Sequence, residues 1–132
     1  MKEVYRLNVL GDDVVFHHIG IVTKSMDEII DPKLKIEDPI QKVRVAFADM
    51  HGLQVELIEP LGDESPVHKF LKKKQYFYHL CFSVKDVERT LEISKENDFY
   101  CVSRPAKAVA FGNNKIAWIY SREYGLIELL ER

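Results

Sequence analysis

The chain has 132 residues, enough for one domain with a packed core and too few for two ordinary ones. Its net charge of −2, with acidic and basic residues interspersed, leaves no electrostatic footprint for nucleic acid. No apolar run reaches membrane-spanning length and the N-terminus lacks a signal-peptide core, so the expectation is a soluble, cytoplasmic protein with no membrane partner.

Met1 to Asp13 is weakly patterned, with a short strand expected before Gly11-Asp12-Asp13. Val14 to Val22 is almost continuously apolar and β-prone and predicts a buried strand. Ser25 followed by Glu28 forms a capping box for a short helix over Ser25–Ile30, which Asp31-Pro32 stops at once. Lys33 to Gln41 is polar and proline-punctuated and predicts a short edge strand. Val43–Ala48 alternates as a strand, Asp49-Met50-His51-Gly52 is a hairpin turn, and Leu53–Glu59 is the returning strand. Ser65 and Pro66 have the chemistry of a helix start, and Val67, Phe70 and Leu71 the spacing of one apolar face. Lys72-Lys73-Lys74 at that helix's end suits its C-terminal dipole, with contact to a phosphate-bearing substrate as the sharper alternative.

The second half repeats this order. Tyr76–Val84 predicts a strand, Asp86 caps an amphipathic helix ending near Glu96-Asn97, and Phe99–Val102 and Lys115–Tyr120 predict strands on either side of a turn at Phe111–Asn114. Gly125–Glu131 is the last strand. Each half therefore reads strand, helix, three strands, with modules at about 14–60 and 76–131 in one α+β domain spanning residues 1–132. Cys81 and Cys101 lie in apolar contexts without ligand spacing and read as reduced core thiols.

The repeat carries chemistry. Leu53-Gln54-Val55-Glu56-Leu57-Ile58-Glu59 and Gly125-Leu126-Ile127-Glu128-Leu129-Leu130-Glu131 each set one glutamate inside an apolar strand and a second at its exit. A carboxylate buried among aliphatic side chains costs several kcal/mol unless paired, protonated or bound to a cation. Each run follows a histidine set in its own apolar strand, His18 in Phe16–Val22 and His79 in Phe77–Val84. If the halves pack about an approximate two-fold, His18, Glu56, His79 and Glu128 converge. Two imidazoles and two carboxylates suit a divalent transition metal, with Ni, Co, Mn, Fe and Zn all admissible. A histidine or glutamate taken singly reads more simply as a satisfied strand residue; the matched positions favour the metal. His17 is expected on the opposite face of its strand from His18, and His51 and His68 at the surface.

These same segments resemble the vicinal oxygen chelate, or glyoxalase-like, superfamily over Val14 to Glu131. Phe16–Val22 is similar to that family's opening "DHIGIAV" strand. Leu53–Leu71 resembles the methylmalonyl-CoA epimerase segment "ELLEPLGEDSPIAKFL", Tyr78–Val87 resembles "HHIAFRVDDI", and Gly125–Glu131 resembles "GVLVELVE". The resemblance implies paired βαβββ modules forming a curved mixed sheet around a metal held by His18, Glu56, His79 and Glu128. It further implies a substrate that offers vicinal oxygens, an enolate-like transition state, and Glu128 as both ligand and base, with Glu56 the other catalytic carboxylate. Two departures stand out. The first module's helix is short, and Val45 occupies the position where some epimerases carry a second carboxylate.

The expected function is a metal-dependent isomerase or epimerase that moves a proton next to a carbonyl, on a small-molecule acyl-CoA or similar thioester. The alternatives are glyoxalase I-type isomerisation of a hemithioacetal and non-catalytic small-molecule binding. A homodimer is expected because short modules of this kind leave apolar surface uncovered.

Overall fold

Period-two patterning of β-branched and aromatic residues produces eight strands in the computed structural model, which describes residues 3–132. They are β1 (Val15–Val22), β2 (Ile36–Asp38), β3 (Val43–Met50), β4 (Leu53–Pro60), β5 (Phe77–Val84), β6 (Tyr100–Ala108), β7 (Asn114–Ser121) and β8 (Gly125–Glu131). Two α-helices, α1 (His68–Lys72) and α2 (Val87–Glu96), interrupt the series. The strands form one mixed sheet in the order β2-β3-β4-β1-β5-β8-β7-β6. That order is two copies of the same four-strand arrangement joined where β1 and β5 pair antiparallel, with β1–β4 and β5–β8 parallel. The α+β class and the curved mixed sheet that the resemblance implies are what the chain adopts, the sheet curling into a half-barrel.

The helix of the second module forms for the reason its sequence gives. The Asp86 carboxylate accepts the Arg89 N–H at 3.1 Å, and Val87, Thr90, Leu91 and Ser94 form its buried stripe. Val87 and Leu91 pack on Ala117, Ile119, Ile127 and Leu129 of the convex sheet face. Burying an aliphatic side chain of this size contributes about 1.5–3 kcal/mol. Its counterpart in the first module is reduced to a turn, in which the Ile29 and Ile30 N–H groups both bond the Met26 carbonyl, before a 3₁₀ segment at Pro32–Leu34. Pro32 accounts for the stop. The exit glutamates of the repeat act alike in both halves. Glu59 accepts the Met26 N–H and Glu131 the Val87 N–H, each at 3.0 Å, so each ties the segment after a central strand to the end of its neighbour.

Besides the expected Ser25–Ile30 helix, which forms only a turn, four local expectations are corrected. Residues 3–13 contain no strand, Leu10 being buried instead as irregular chain against the convex-face core; the first two residues of the expected Met1–Asp13 element lie outside the described residues. Helix α1 begins at His68 with Val67 at its cap, and the buried Ser65 hydroxyl has no hydrogen-bond partner among the described residues. Cys81 is buried, but Cys101 is exposed near the sheet edge. Strand β6 runs on through Pro105, which an edge strand tolerates because one row of its N–H groups needs no partner. No helix among the described residues is long and apolar enough to cross a membrane.

Candidate metal centre

In the register of the sheet, Gly20 pairs with both Glu56 and His79, Cys81 with both His18 and Glu128, and Trp118 with Glu128. All these positions therefore face one way, into the concave side of the half-barrel. His18 from β1, Glu56 from β4, His79 from β5 and Glu128 from β8 meet there, and each is at most 5% exposed. Their donor atoms all lie within 4.8 Å of one another. His18 Nε2 is 3.1 Å from His79 Nε2, 3.3 Å from Glu56 Oε1 and 3.4 Å from Glu128 Oε1. His79 Nε2 is 3.5 Å from Glu56 Oε1 and 3.3 Å from Glu128 Oε1. The sequence reading thus names four residues that the fold does bring together.

This arrangement fits a divalent ion on three physical grounds. Adjacent ligand atoms bonded at about 2.1 Å to one ion sit roughly 3.0 to 3.4 Å apart, close to the spacings here. Two carboxylates with two neutral imidazoles offer a charge that a divalent cation balances. Finally, Glu128 Oε1 is buried with no well-formed hydrogen bond among the described residues, a state that native interiors avoid unless something else satisfies the group.

The surroundings hold the donors and keep them dry. The His18 ring stacks on Phe111 with centroids 5.7 Å apart and meets Phe47 edge-on, while His79 stands edge-on to Trp118 at 4.8 Å. Gly20 leaves the space that the His79 ring fills, since a Cβ there would lie 2.2 Å from His79 Cε1. In the metal-free cluster, burial works against a charged His18, but the close approach and negative charge of Glu128 and Glu56 overcome it and raise the imidazole to about 9. Burial and the neighbouring Glu128 push Glu56 up against the pull of the histidines. For Glu128 burial is outweighed by His18 and His79, which hold it at about 2. Burial, with the two carboxylates, raises Tyr78 to about 12, so it is a neutral phenol. The Cys81 thiol is likewise pushed far up by burial and by Glu128.

Two features escape the sequence reading. His17 does not turn away from the site. A register irregularity between Phe16 and His18 breaks the alternation, and His17 Nδ1 lies 2.8 Å from His18 Nδ1. Asp38, in a stretch with no legible period, is 3% exposed and lines the same pocket as Glu56, His79 and Glu128. Its Oδ1 accepts the Ile40 and Gln41 N–H groups at 3.0 Å. The pocket is otherwise walled mainly by apolar residues including Val43, Val45, Ile58 and Ile116. The Trp118 indole N–H donates to Gln41 Oε1 at 3.3 Å across it. No lysine or arginine among the described residues lines it. His51 and Lys72–Lys74 are exposed, and His68 is only part-buried.

The chain belongs to the glyoxalase/bleomycin resistance protein/dioxygenase superfamily, whose family model matches residues 17–118. It is 39% identical over 94 residues to the uncharacterized protein YqjC of Bacillus subtilis, covering 69% of this chain and 66% of that protein. It is 23% identical over 140 residues to the mitochondrial methylmalonyl-CoA epimerase of Dictyostelium discoideum, covering 95% and 84%. The bovine mitochondrial methylmalonyl-CoA epimerase is 30% identical over 95 residues, and the match spans 54% of its length. Among solved structures, a hypothetical protein from Bacillus halodurans superposes with a TM-score of 0.77 at 25% identity, over 92% of this chain and 96% of that one. The methylmalonyl-CoA epimerase of Mycobacterium tuberculosis shares the fold with a TM-score of 0.73 at 22% identity, over 97% and 92%.

Proposed function

We infer that the chain is a metal-dependent enzyme that moves a proton at the carbon next to a carbonyl, on an acyl-CoA or similar thioester. The observation that carries this reading is the convergence of two buried histidines and two buried glutamates, of which Glu56, His79 and Glu128 line a mainly apolar pocket, with Glu128 Oε1 left without a well-formed hydrogen bond among the described residues. Its relatives named as epimerases support the same direction. His18, Glu56, His79 and Glu128 are the residues that would hold the ion. When bound, a divalent ion there supplies Lewis acidity that stabilises negative charge on a carbonyl oxygen.

The chain's own groups do the rest. The Phe47, Phe111 and Trp118 rings exclude water, which strengthens every charge interaction inside the site. Glu128, on the terminal strand, accepts the proton. The Cα–H bond breaks, the proton passes to a carboxylate oxygen, and the electron pair moves into the carbon–carbon bond as charge develops on the carbonyl oxygen. Returning the proton to the same carbon completes an exchange, and returning one to the opposite face completes an epimerisation. Val45 supplies no base for that second face, being a buried part of the pocket wall.

The test is metal-loaded protein incubated with methylmalonyl-CoA in deuterated water, followed by mass spectrometry. Deuterium is expected at the α-carbon, faster than in metal-free protein. A parallel arm with a glutathione hemithioacetal separates the lyase chemistry, which the absence of basic residues from the described pocket lining disfavours. Turnover of the hemithioacetal alone, or of neither compound, overturns the reading.

A further inference from the structure

Adjacent residues in a strand ordinarily point to opposite faces, and only one of them can serve a site. The irregularity between Phe16 and His18 removes that restriction in β1, and the two imidazoles of the His17-His18 pair meet through their Nδ1 atoms at 2.8 Å. Two ring nitrogens at that distance share one proton: two lone pairs repel, and so do two N–H groups. His18 Nε2 faces the other three donors. A nitrogen that ligates a metal must present its lone pair, so the proton of a neutral His18 sits on Nδ1 and the acceptor is His17.

We propose that His17 is a positioning residue whose Nδ1 accepts the Nδ1–H of His18, fixing the tautomer and ring plane in which His18 offers Nε2 to a divalent transition-metal ion. This rests on the metal reading above. His17 is itself held. Gln54 Nε2–H donates to the His17 carbonyl at 3.3 Å, and Phe111 packs edge-on against the His17 ring at 5.7 Å while stacking on His18. One aromatic residue thus braces both rings of the pair. The contrast with His79 is informative, because its Nδ1 is buried and has no partner among the described residues. The cluster therefore has one oriented imidazole and one held by packing alone, between Gly20 and Trp118.

The test uses the full chain and Co(II) as probe, with affinity measured by chelator competition and the site read by visible absorption and by paramagnetic proton resonance. H17F removes the acceptor and keeps an aromatic ring; H17N restores an acceptor where Nδ1 was. The H17F variant is expected to bind Co(II) about 10- to 100-fold more weakly, the usual loss when an outer partner of a ligating histidine is removed, with an altered spectrum. H17N should recover most of that loss. In wild-type protein a hyperfine-shifted, slowly exchanging N–H resonance is expected from His18, and none as protected from His79. If H17F binds as tightly as wild type with the same spectrum, or if H17N is as impaired as H17F, the assignment is overturned while the metal reading stands. If wild type binds no Co(II), both fail together. Should H17F not fold, the wild-type resonance decides alone: its presence supports the proposal and its absence overturns it.

Discussion

Replacing Glu128 by Gln probes the division of labour between two carboxylates that the sequence repeat treats as equals. Glu128 is 3% exposed, and its Oε1 lies 3.4 Å from His18 Nε2 and 3.3 Å from His79 Nε2. Glutamine has nearly the same volume and keeps one oxygen donor, so the packing around Phe47, Phe111 and Trp118 survives. Basicity is lost, because an amide does not accept a proton near neutral pH. Removing a general base lowers turnover by about 10²–10⁴, which corresponds to roughly 2.7 to 5.4 kcal/mol in the barrier. Metal affinity is expected to fall by less, on the order of tenfold, as one charged oxygen becomes a neutral one. Glu56→Gln should be milder in turnover, because it changes a ligand and leaves the Glu128 base in place. The assay is the α-proton exchange rate of both variants at metal content matched by elemental analysis. The reverse order of activities would assign the base to Glu56 and refute the argument.

Further consequences follow from the same geometry. His18 rises from 6.5 to about 9 in the folded, metal-free protein. A group raised in this way contributes stability that is full below its unfolded value and is lost as pH climbs through the folded one. Metal-free protein is therefore expected to lose thermal stability between pH 7 and 9, and metal added at pH 7 to release about one proton. Calorimetric titration in buffers of different ionisation enthalpy counts that proton, and zero release contradicts the charge assignment. Gly20→Val places a Cβ 2.2 Å from His79 Cε1 and must displace that ring. The expected loss is tenfold or more in metal affinity, with about 1–3 kcal/mol of overpacking strain, and unchanged binding by competition assay refutes it. Tyr76, Phe77, Tyr100, Val102 and Tyr120 are 53%, 52%, 71%, 58% and 44% exposed, which supports a homodimer. Light scattering that gives a concentration-independent monomer mass rules that out.

His18, Glu56, His79 and Glu128 were legible because each holds the matching position of a repeated, mainly apolar strand, so the repeat pairs them across the two halves. The exit glutamates were visible as part of the repeat, but their purpose was not. That Glu59 and Glu131 accept N–H groups from Met26 and Val87 depends on which strand ends lie beside which turns. His17 was misjudged because a bulge, invisible in composition, suspends the rule that neighbours diverge. Asp38 was missed because Lys33–Gln41 has no period to read, and the carboxylate reaches the pocket only through the pairing of Asp38 with Val43 at the sheet edge. The capping box at Ser25 named a real turn. It did not reveal that Glu59 would supply the buried acceptor at Met26, or that the turn would close without a helix.

The central claim is that four side chains hold one divalent ion, and the most direct measurement is elemental analysis paired with thermal unfolding of protein reconstituted with Ni, Co, Mn and Zn. About one ion per chain is expected. At a free-ion concentration a hundredfold above Kd, binding to the native state alone adds about 2.7 kcal/mol, a rise in Tm on the order of 10 °C for a chain of this size. His79→Ala should abolish both the bound ion and the shift, since it leaves a single imidazole between two carboxylates. No bound ion and no change in Tm with any of the four metals would contradict the account.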